Sequence, residues 1–224
     1  MQKNTAPTLH ITSHIETLVP ATPTNPRKET YGWRCTAHDC RIGMTGYTDK
    51  RASLKDAADH EQRQALALFP TGTLITAIGP AGSGKSRFAA AFPSTWVISL
   101  DTLRKQISDD AGDQNATTEA VQLQDLLLDA RLRRGLTTLL DSTNCEPAVR
   151  ARLIERAHRY NRSVAALVFS TPLKTCEARN ARREDNSVRV PLDVLRRQHQ
   201  QTQLAIPQLH REGFTDVRIV GTDS

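Results

Sequence analysis

The chain contains 224 residues, of which 38% are hydrophobic and 24% are charged, with 11 glycines and 11 prolines. This composition is typical of one main globular domain with a small appendage, and it excludes collagen-like, coiled-coil and largely disordered chains. Four cysteines are too few for a disulfide scaffold. Because the sequence shows no apolar leader and no apolar run of membrane-spanning length, we expect a cytoplasmic protein with reduced thiols.

The net charge of +6 is distributed unevenly along the chain. Residues 150–200 contain twelve basic and five acidic side chains, and eleven of the twelve basic residues are arginines. Arginine forms forked contacts with phosphate groups. This segment therefore predicts either a surface for polyphosphate or nucleic acid, or a set of solvated helix faces.

The first seventy residues separate into two segments. Residues 1–30 contain four prolines among threonine and asparagine and show no sustained apolar period, which predicts a flexible arm. Residues 31–69 predict a small ββα module, with a hairpin formed by 33–36 and 41–48 and a helix over 53–69.

The ββα module carries a set of residues that could bind a metal. Cys35, Cys40 and His60 fall on the predicted hairpin and helix, as in a degenerate zinc finger. A fourth zinc ligand could come from the residues just before the second cysteine, His38 or Asp39. Because the second helix histidine of a zinc finger is missing, thiols without a metal remain the alternative.

Residues 70–224 alternate strand and helix patterns and predict a second, larger domain. Predicted strands cover 73–78, 95–100, 137–140, 164–170 and 217–220, and predicted helices cover 85–92, 118–134, 147–160, 173–183 and 191–210. This rhythm indicates βαβ crossovers, and hence an α/β fold in which helices flank a parallel sheet.

Residues 79–86, with the sequence GPAGSGKS, match the phosphate-binding pattern G-x-x-x-x-G-K-[ST] at every required position. Glycines let backbone amides turn toward an anion, the lysine places a charge on the terminal phosphates, and the last hydroxyl can bind Mg²⁺. The motif predicts a site for a nucleoside triphosphate with Mg²⁺. Its predicted contacts are Gly79, Ala81, Gly82, Ser83, Gly84, Lys85, Ser86 and Arg87.

Two acidic residues follow predicted strands of the same sheet. Ligands of parallel α/β sheets gather at the carboxyl ends of the strands, so Asp101 is expected beside the phosphate loop, where a carboxylate could accept the proton of an attacking hydroxyl. The alternative role for Asp101 is to cap the following helix. Arg104, one turn further, could pair with an acceptor phosphate. Asp141 stands at a Walker B-like position and could hold hydrated Mg²⁺, or could simply form a turn.

Several segments in this order resemble the kinase domain of bacterial and phage 5′-hydroxyl polynucleotide kinases, P-loop proteins with an adenylate-kinase-like sheet. The resemblance extends over residues 71–220. The segments that carry it are 79–86, 99–104 (SLDTLR), 108–117 (SDDAGDQNAT), 141–144 (DSTN), 176–183 (CEARNARR) and 211–214 (REGF). The acidic segment 108–117 is the most specific of them, whereas the phosphate loop and DSTN occur in many P-loop kinases.

The resemblance implies roles for individual residues. Asp101 would be the general base for the 5′-hydroxyl, and Arg104 would contact the phosphate next to the acceptor nucleoside. Lys85 and Arg183 would surround the transferring phosphate, with help from Arg179. Because Arg179 and Arg183 are four residues apart, we expect them to share one helix face.

The resemblance also leaves alternatives for the function. It implies ATP and Mg²⁺ as cofactors and 5′-hydroxyl ends of RNA or DNA as acceptors, with separate phosphatase and ligase chains if the protein acts in repair. One alternative is a small-molecule kinase that phosphorylates a nucleoside, sugar or antibiotic. Another is a nucleotide-gated nucleic-acid-binding protein without catalysis. Ser142, where alanine is usual in the family, and Arg87 depart from its pattern without affecting these roles.

Overall fold

The chain divides into two structural units, Met1–Phe69 and Pro70–Ser224. The computed structural model describes residues 12–19, 28–35, 40, 42–183 and 189–220. Among these residues, no helix combines the length and the apolar character needed to cross a lipid bilayer.

The N-terminal unit consists of a three-stranded antiparallel sheet and one helix. Its elements are β1 (Thr12–Val19), β2 (Lys28–Cys35), β3 (Gly43–Tyr47) and α1 (Lys50–Ala67). The strands are ordered β1-β2-β3. Buried residues Ser53, Ala57 and His60 recur at helical spacing and define the face of α1 that is turned away from solvent.

The predicted flexible arm over residues 1–30 is wrong where the structure describes it. Residues 12–19 form β1, which pairs with β2 along its whole length, from Thr12 opposite Cys35 to Val19 opposite Lys28. The prolines that suggested an arm lie outside this strand. Their positions therefore do not interrupt the ladder, because proline is excluded only where a strand needs its N–H group. The predicted hairpin is present as β2 and β3, but two of its residues, 36 and 41, lie outside the described residues.

The larger unit is the predicted α/β domain. Its elements are β4 (Leu74–Ile78), α2 (Lys85–Ala89), β5 (Val97–Ser99), α3 (Leu100–Ser108), α4 (Thr117–Arg133), β6 (Thr138–Asp141), α5 (Pro147–Arg159), β7 (Val164–Phe169), α6 (Leu173–Ala181), α7 (Leu192–Ala205), α8 (Leu209–Glu212) and β8 (Asp216–Val220). The five strands are ordered β5-β6-β4-β7-β8 and all pair in parallel. The predicted P-loop α/β fold is confirmed.

The central strands are apolar because helices cover them on both faces. Every residue of β4 and β7 is buried, and these two strands are the middle of the sheet together with β6. Continuous apolar runs of this kind are typical of parallel strands, which have no solvent-exposed face. Since the chain leaves β4 directly into residues 79–86, the phosphate loop lies at the carboxyl edge of the sheet centre.

Several helices end earlier than the sequence indicates, and two of them bear on the site. The helix predicted over 191–210 stops at Ala205 and continues as the 3₁₀ turn Ile206–Gln208, which contains Pro207, a residue that cannot donate the next helical hydrogen bond. Helix α6 ends at Ala181. Arg183 therefore lies beyond the helix, and the prediction that Arg179 and Arg183 share one helix face is wrong.

Candidate functional site

A cavity of about 480 Å³ opens at the carboxyl edge of the parallel sheet. The phosphate loop, the start of α3, the loop after α3, the end of β6 and the segment leading into α7 all contribute to its wall. The sequence-predicted residues that line it are Ala81, Lys85, Ser86, Asp101, Arg104, Asp141 and Arg183. The structure thus brings together residues that are up to a hundred positions apart in the chain.

The conformation of the phosphate loop requires its glycines. Gly82 and Gly84 have φ angles of +75° and +101°, in the left-handed region that side chains disfavour. A Cβ atom at Gly82 would also lie only 2.6 Å from the carbonyl oxygen of Cys176. Helix α2 begins immediately afterwards, at Lys85, with Gly84 as its N-cap. The loop therefore turns sharply enough to direct the first amides of the helix toward the cavity.

Lys85 is held inside this turn. Its ammonium donates to the carbonyl oxygens of Gly79 (2.9 Å) and Pro80 (2.7 Å), and its side chain is buried. Burial lowers the pKa of Lys85, while the negative charge of Asp141 acts in the opposite direction. Burial therefore disfavours the charged form of Lys85, and the two carbonyl contacts hold its nitrogen against the loop.

Asp141 stands opposite this lysine at the last position of β6, where it pairs in register with Ser99 of β5. Burial raises the pKa of Asp141, against a hydrogen bond from Ser86 and the charge of Lys85. The hydroxyl of Ser86 and the carboxylate of Asp141 thus meet at the cavity wall. Two such oxygens beside a phosphate site are the ligand types that Mg²⁺ prefers.

The phosphate loop and the strand before it are fixed from three other segments by contacts that sequence reasoning missed. The side-chain amide of Asn144 donates to the carbonyl of Ala77 (2.8 Å), and the hydroxyl of Thr171 donates to the carbonyl of Ser83 (2.8 Å). The side-chain oxygen of Gln198 on α7 accepts from the amide of Ala81 (3.0 Å). Only tertiary contact reveals these roles, because Thr171 and Gln198 lie far from the motif in sequence.

Asp101 and Arg104 form the side of the cavity contributed by α3. Ser99 occupies the N-cap of this helix and Asp101 its first turn, so Asp101 is not the capping residue. The carboxylate of Asp101 is largely exposed and forms an ion pair with the buried guanidinium of Arg104. Arg104 also donates through Nε to the carbonyl of Ala111 (2.9 Å), which fixes the pair against the following loop.

The acidic segment after α3 is ordered largely by its own side chains. The carboxylate of Asp110 accepts from the amide of Gly112 (2.7 Å), and that of Asp113 accepts from the amide of Asn115 (2.9 Å). The hydroxyl of Ser108 donates to the carbonyl of Arg104 (3.1 Å). These turns place Ala111, Gly112 and Gln114 on the cavity wall. The acidic residues therefore shape the loop, and the lining comes from its other residues.

Besides Arg104, four arginines lie close to the phosphate loop or the cavity. Arg183 lines the cavity, and so does Arg189, whose Nε donates to the carbonyl of Arg183 (2.7 Å). Arg179 is exposed and donates to the carbonyl of Gly82 (3.4 Å) without lining the cavity. Arg87 is exposed on α2 and is also absent from the cavity wall. Of these predicted contacts, Arg183 therefore lines the cavity, whereas Arg179 and Arg87 are exposed and lie outside the cavity wall.

Many other arginines of the basic segment have structural partners. Arg150 is only 1% exposed, and it forms a two-pronged ion pair with Glu212 (2.6 and 2.7 Å) while donating to the carbonyl of Cys145 (2.6 Å). Arg156 donates to Asp125 (3.0 Å), and Arg162 donates to the carbonyl of Leu132 (2.9 Å). The basic side chains of residues 150–200 therefore do not form one continuous surface for phosphate groups, because several of them contact other parts of the protein.

The cavity residues suit a nucleotide with magnesium. Gly82 and Gly84 give the loop the positive φ angles of its turn, Lys85 places a buried amine beside it, and Ser86 and Asp141 supply hard oxygen donors. Cys145 and Cys176 are buried, and burial raises the pKa of both thiols, so they act as packing residues here.

In the N-terminal unit the structure also brings together the three predicted metal ligands. The ligand atoms of Cys35, Cys40 and His60 all lie within 4.8 Å of one another. His38 and Asp39, the candidates for a fourth ligand, lie outside the described residues.

Solved structures with this fold include components of several assemblies. One belongs to the Pnkp1/Rnl/Hen1 RNA repair complex (20% identity, TM-score 0.53), where the match covers 62% of this chain and 47% of that one. Another is the AvrRxo1-ORF1:ORF2 complex with ATP (16% identity, TM-score 0.54, 77% and 62% covered). A third is the PezAT toxin–antitoxin system of Streptococcus pneumoniae (14% identity, TM-score 0.52, 76% and 77% covered). The chain thus spans about half of the length of the RNA repair protein that it matches.

No curated protein sequence matches the chain significantly. At the level of families, a profile described as an AAA domain matches residues 74–205, which is more than half of the chain. This range contains the phosphate loop, Asp101, Asp141, Arg183 and Arg189. The chain therefore belongs to this AAA-domain family and has its kinase-like P-loop fold.

Proposed function

We propose that the protein transfers the γ-phosphate of ATP to the 5′-hydroxyl end of a nucleic acid. One observation carries this proposal: Lys85 and Ser86 of the phosphate loop face the same cavity as Asp101 and Arg104 of α3. A donor site and a carboxylate suited to an acceptor hydroxyl thus share one enclosed space.

In the proposed reaction, the acceptor hydroxyl oxygen forms a bond to the γ-phosphorus of ATP. The bond between that phosphorus and the β–γ bridging oxygen breaks, and ADP leaves with the electron pair. The carboxylate of Asp101 accepts the proton of the hydroxyl. Its exposure on the first turn of α3 leaves the oxygens accessible to an acceptor, and the ion pair with Arg104 restricts where they point.

The other cavity residues neutralise charge. Lys85 and Arg183 would stabilise the transferring phosphoryl group, since phosphoryl transfer depends mainly on positioning and on electrostatic stabilisation. Ser86 and Asp141 would hold Mg²⁺, which supplies charge neutralisation on the donor phosphates when it is bound. Arg189 fixes the backbone at Arg183 through its hydrogen bond to that carbonyl.

The nucleic-acid acceptor is supported by sequence and by similarity. Residues 99–104 and 108–117 resemble polynucleotide kinases, and they form two sides of the acceptor end of the cavity through Asp101, Arg104 and Gly112. A structure of the same fold belongs to an RNA repair complex. Arg104 would bind the phosphate next to the terminal nucleoside, a group that a polynucleotide has and a free sugar lacks.

A second candidate function is phosphorylation of a small molecule. The cavity volume of about 480 Å³ lies within the range of about 300–1,000 Å³ that is common for small-ligand sites. In addition, Arg104 already has two partners, Asp101 and the carbonyl of Ala111, which would suit a structural role at a small acceptor site.

An acceptor panel separates the two candidates. The purified full-length chain is incubated with γ-labelled ATP and Mg²⁺, and with 5′-hydroxyl RNA, 5′-hydroxyl DNA, a nucleoside 3′-phosphate, nucleosides, sugars and an aminoglycoside. We expect label on the oligonucleotides and on the nucleoside 3′-phosphate, and no competition from sugars or the aminoglycoside. Label on a small acceptor alone, with oligonucleotides inert, would establish the second candidate, and the RNA-to-DNA ratio would define the preferred polymer.

A further inference from the structure

We propose that the N-terminal unit contains a zinc site formed by the side chains of Cys35, Cys40 and His60. This inference is independent of the proposed phosphotransferase, because every residue that carries it belongs to the unit of residues 1–69. The site is structural: it connects strand β2, the β2–β3 connection and helix α1.

The geometry of the three side chains is close to that of a zinc centre. Sγ of Cys40 and Nε2 of His60 lie 3.7 Å apart. Zinc bonds of about 2.3 Å to sulfur and about 2.0 Å to nitrogen, at tetrahedral angles, place those two atoms about 3.5 Å apart. All three ligand atoms lie within 4.8 Å of one another, so a shift of about 1 Å or less would bring these three to zinc-binding distances.

The surrounding structure holds these ligands in place. The backbone amide of Cys35 donates to the carbonyl of Ile42 (2.9 Å), which closes the connection that contains Cys40. The ring of Trp33 packs against the ring of His60 with centroids 5.0 Å apart, and Nε1 of Trp33 donates to Asp56 (3.0 Å). Ring and loop orientation are therefore fixed by contacts outside the ligand set, as is usual for metal sites.

A further contact extends this support to β3. The hydroxyl of Tyr47 donates to the same carboxylate of Asp56 (2.7 Å), and this hydrogen bond raises the pKa of the tyrosine. Asp56 on α1 thus links β2 and β3 behind the ligands. Side chains of β2, β3 and α1 thus hold the ligands in position.

The chemistry of the three donors selects the metal. Two thiolates and one imidazole favour zinc over Mg²⁺ and Ca²⁺, which require oxygen ligands. The spacing of four residues between the cysteines lies in the range of structural zinc sites, with the histidine supplied by a following helix. Neither Cys35 nor Cys40 forms a disulfide.

The small core of this unit gives the metal a role. Among its described residues, one apolar cluster is buried, consisting of Trp33, Cys35 and Ala57 with Cys40 and Tyr47 packed against it. Units of this size rarely reach adequate stability from such a core alone and commonly use a metal or disulfides. Two of the five residues in the cluster are themselves ligands, so zinc binding and core formation would occur together.

The first test is the metal content of the full chain, purified without added metal or chelator and measured by inductively coupled plasma mass spectrometry. We expect about one zinc per chain, and at least a fivefold loss in Cys40→Ser and His60→Gln. Cys40 is chosen because it is only half-buried, which limits the packing lost with its sulfur. The matched control is His158→Gln, which removes an exposed histidine of α5 and should retain the full zinc content.

A second measurement on the wild type covers variants that fail to fold. After zinc removal, cobalt(II) added to the full chain should produce a thiolate-to-cobalt charge-transfer band that equimolar zinc abolishes. Zinc below about 0.1 per chain together with no charge-transfer band would overturn the proposal. Full zinc content in both ligand variants would also overturn it, because the metal would then be bound elsewhere.

Discussion

Two groups of arginines in residues 150–200 show how differently the same side chain is used. Arg150, Arg156 and Arg162, on α5 or just after it, contact carboxylates and carbonyls of neighbouring elements. Arg183 and Arg189, between α6 and α7, line the cavity beside the phosphate loop. We call these the structural arginines and the cavity arginines.

The location of the side chain separates the two groups, because only the second group lines the cavity. Arg150 is 1% exposed and has its guanidinium engaged by Glu212 and by two carbonyl oxygens. The cavity arginines line the same cavity as Lys85 and Ser86 of the phosphate loop. Variants of the first group should therefore change stability, and variants of the second should change activity.

The largest effect is expected from Glu212→Ala, which removes the partner of Arg150. An unpaired charge would remain buried, and breaking such a pair typically costs about 3–5 kcal/mol. Denaturant titration of the wild type and the variant measures this loss in the free energy of unfolding. The control is Glu155→Ala, which breaks the exposed pair with Arg159 and should change stability by about 0.5 kcal/mol or less. Equal effects of the two variants would contradict the assignment of Arg150 as structural.

The cavity arginines are tested by Arg183→Ala. We expect kcat/KM for phosphoryl transfer to fall about 100- to 1,000-fold, because one cation that neutralises the transferring phosphate is lost. The melting temperature should stay close to that of the wild type. The neighbouring exposed Arg182→Ala, which removes the same charge outside the cavity, should retain activity. An equal loss of kcat/KM in both variants would indicate that activity depends on the total positive charge of this segment and not on the position of Arg183 in the cavity.

A third prediction concerns pH and Asp141. Burial raises the folded-state pKa of this carboxyl. At a pH between its unfolded and folded pKa values, Asp141 is therefore protonated in the folded chain and ionised in the unfolded chain. Wild-type stability should consequently fall as the pH rises through the raised pKa. Asp141→Asn lacks this penalty and should be more stable than the wild type near neutral pH, with the advantage vanishing under acidic conditions. Urea unfolding of both proteins across this pH range measures the difference in their free energies of unfolding. A difference that grows toward acidic pH would contradict the prediction.

The smallest effect is expected from Arg179→Ala. Its exposed contact to the carbonyl of Gly82 is 3.4 Å long, and a hydrogen bond of this kind contributes about 1 kcal/mol or less. We predict a two- to fivefold higher KM for ATP, roughly, with kcat little changed. Initial rates against ATP concentration measure both, and a loss as large as that of Arg183→Ala would place Arg179 among the cavity arginines.

The sequence predicted the parallel sheet and the phosphate loop because both depend on local patterns. Asp101 and Asp141 could be found because each lies at or just after the carboxyl end of a strand, and these strand ends converge at one edge of the sheet. Strand β1 was missed, since its identity depends on pairing with β2 and not on an apolar period of its own. Arg150 and Gln198 could not be assigned, because the partners that define their roles are distant in sequence.

The central claim is that Asp101 activates a 5′-hydroxyl for attack on ATP. The most direct measurement offers 5′-hydroxyl RNA and DNA with γ-labelled ATP to the wild type, Asp101→Asn and the control Asp109→Asn, followed by digestion to mononucleotides. Asp109 is an exposed residue at the other end of α3 that does not line the cavity. We predict labelled 5′-mononucleotides from the wild type and Asp109→Asn, and at least about 100-fold less from Asp101→Asn. Unlabelled polymer in every reaction, or equal labelling by Asp101→Asn, would contradict the account.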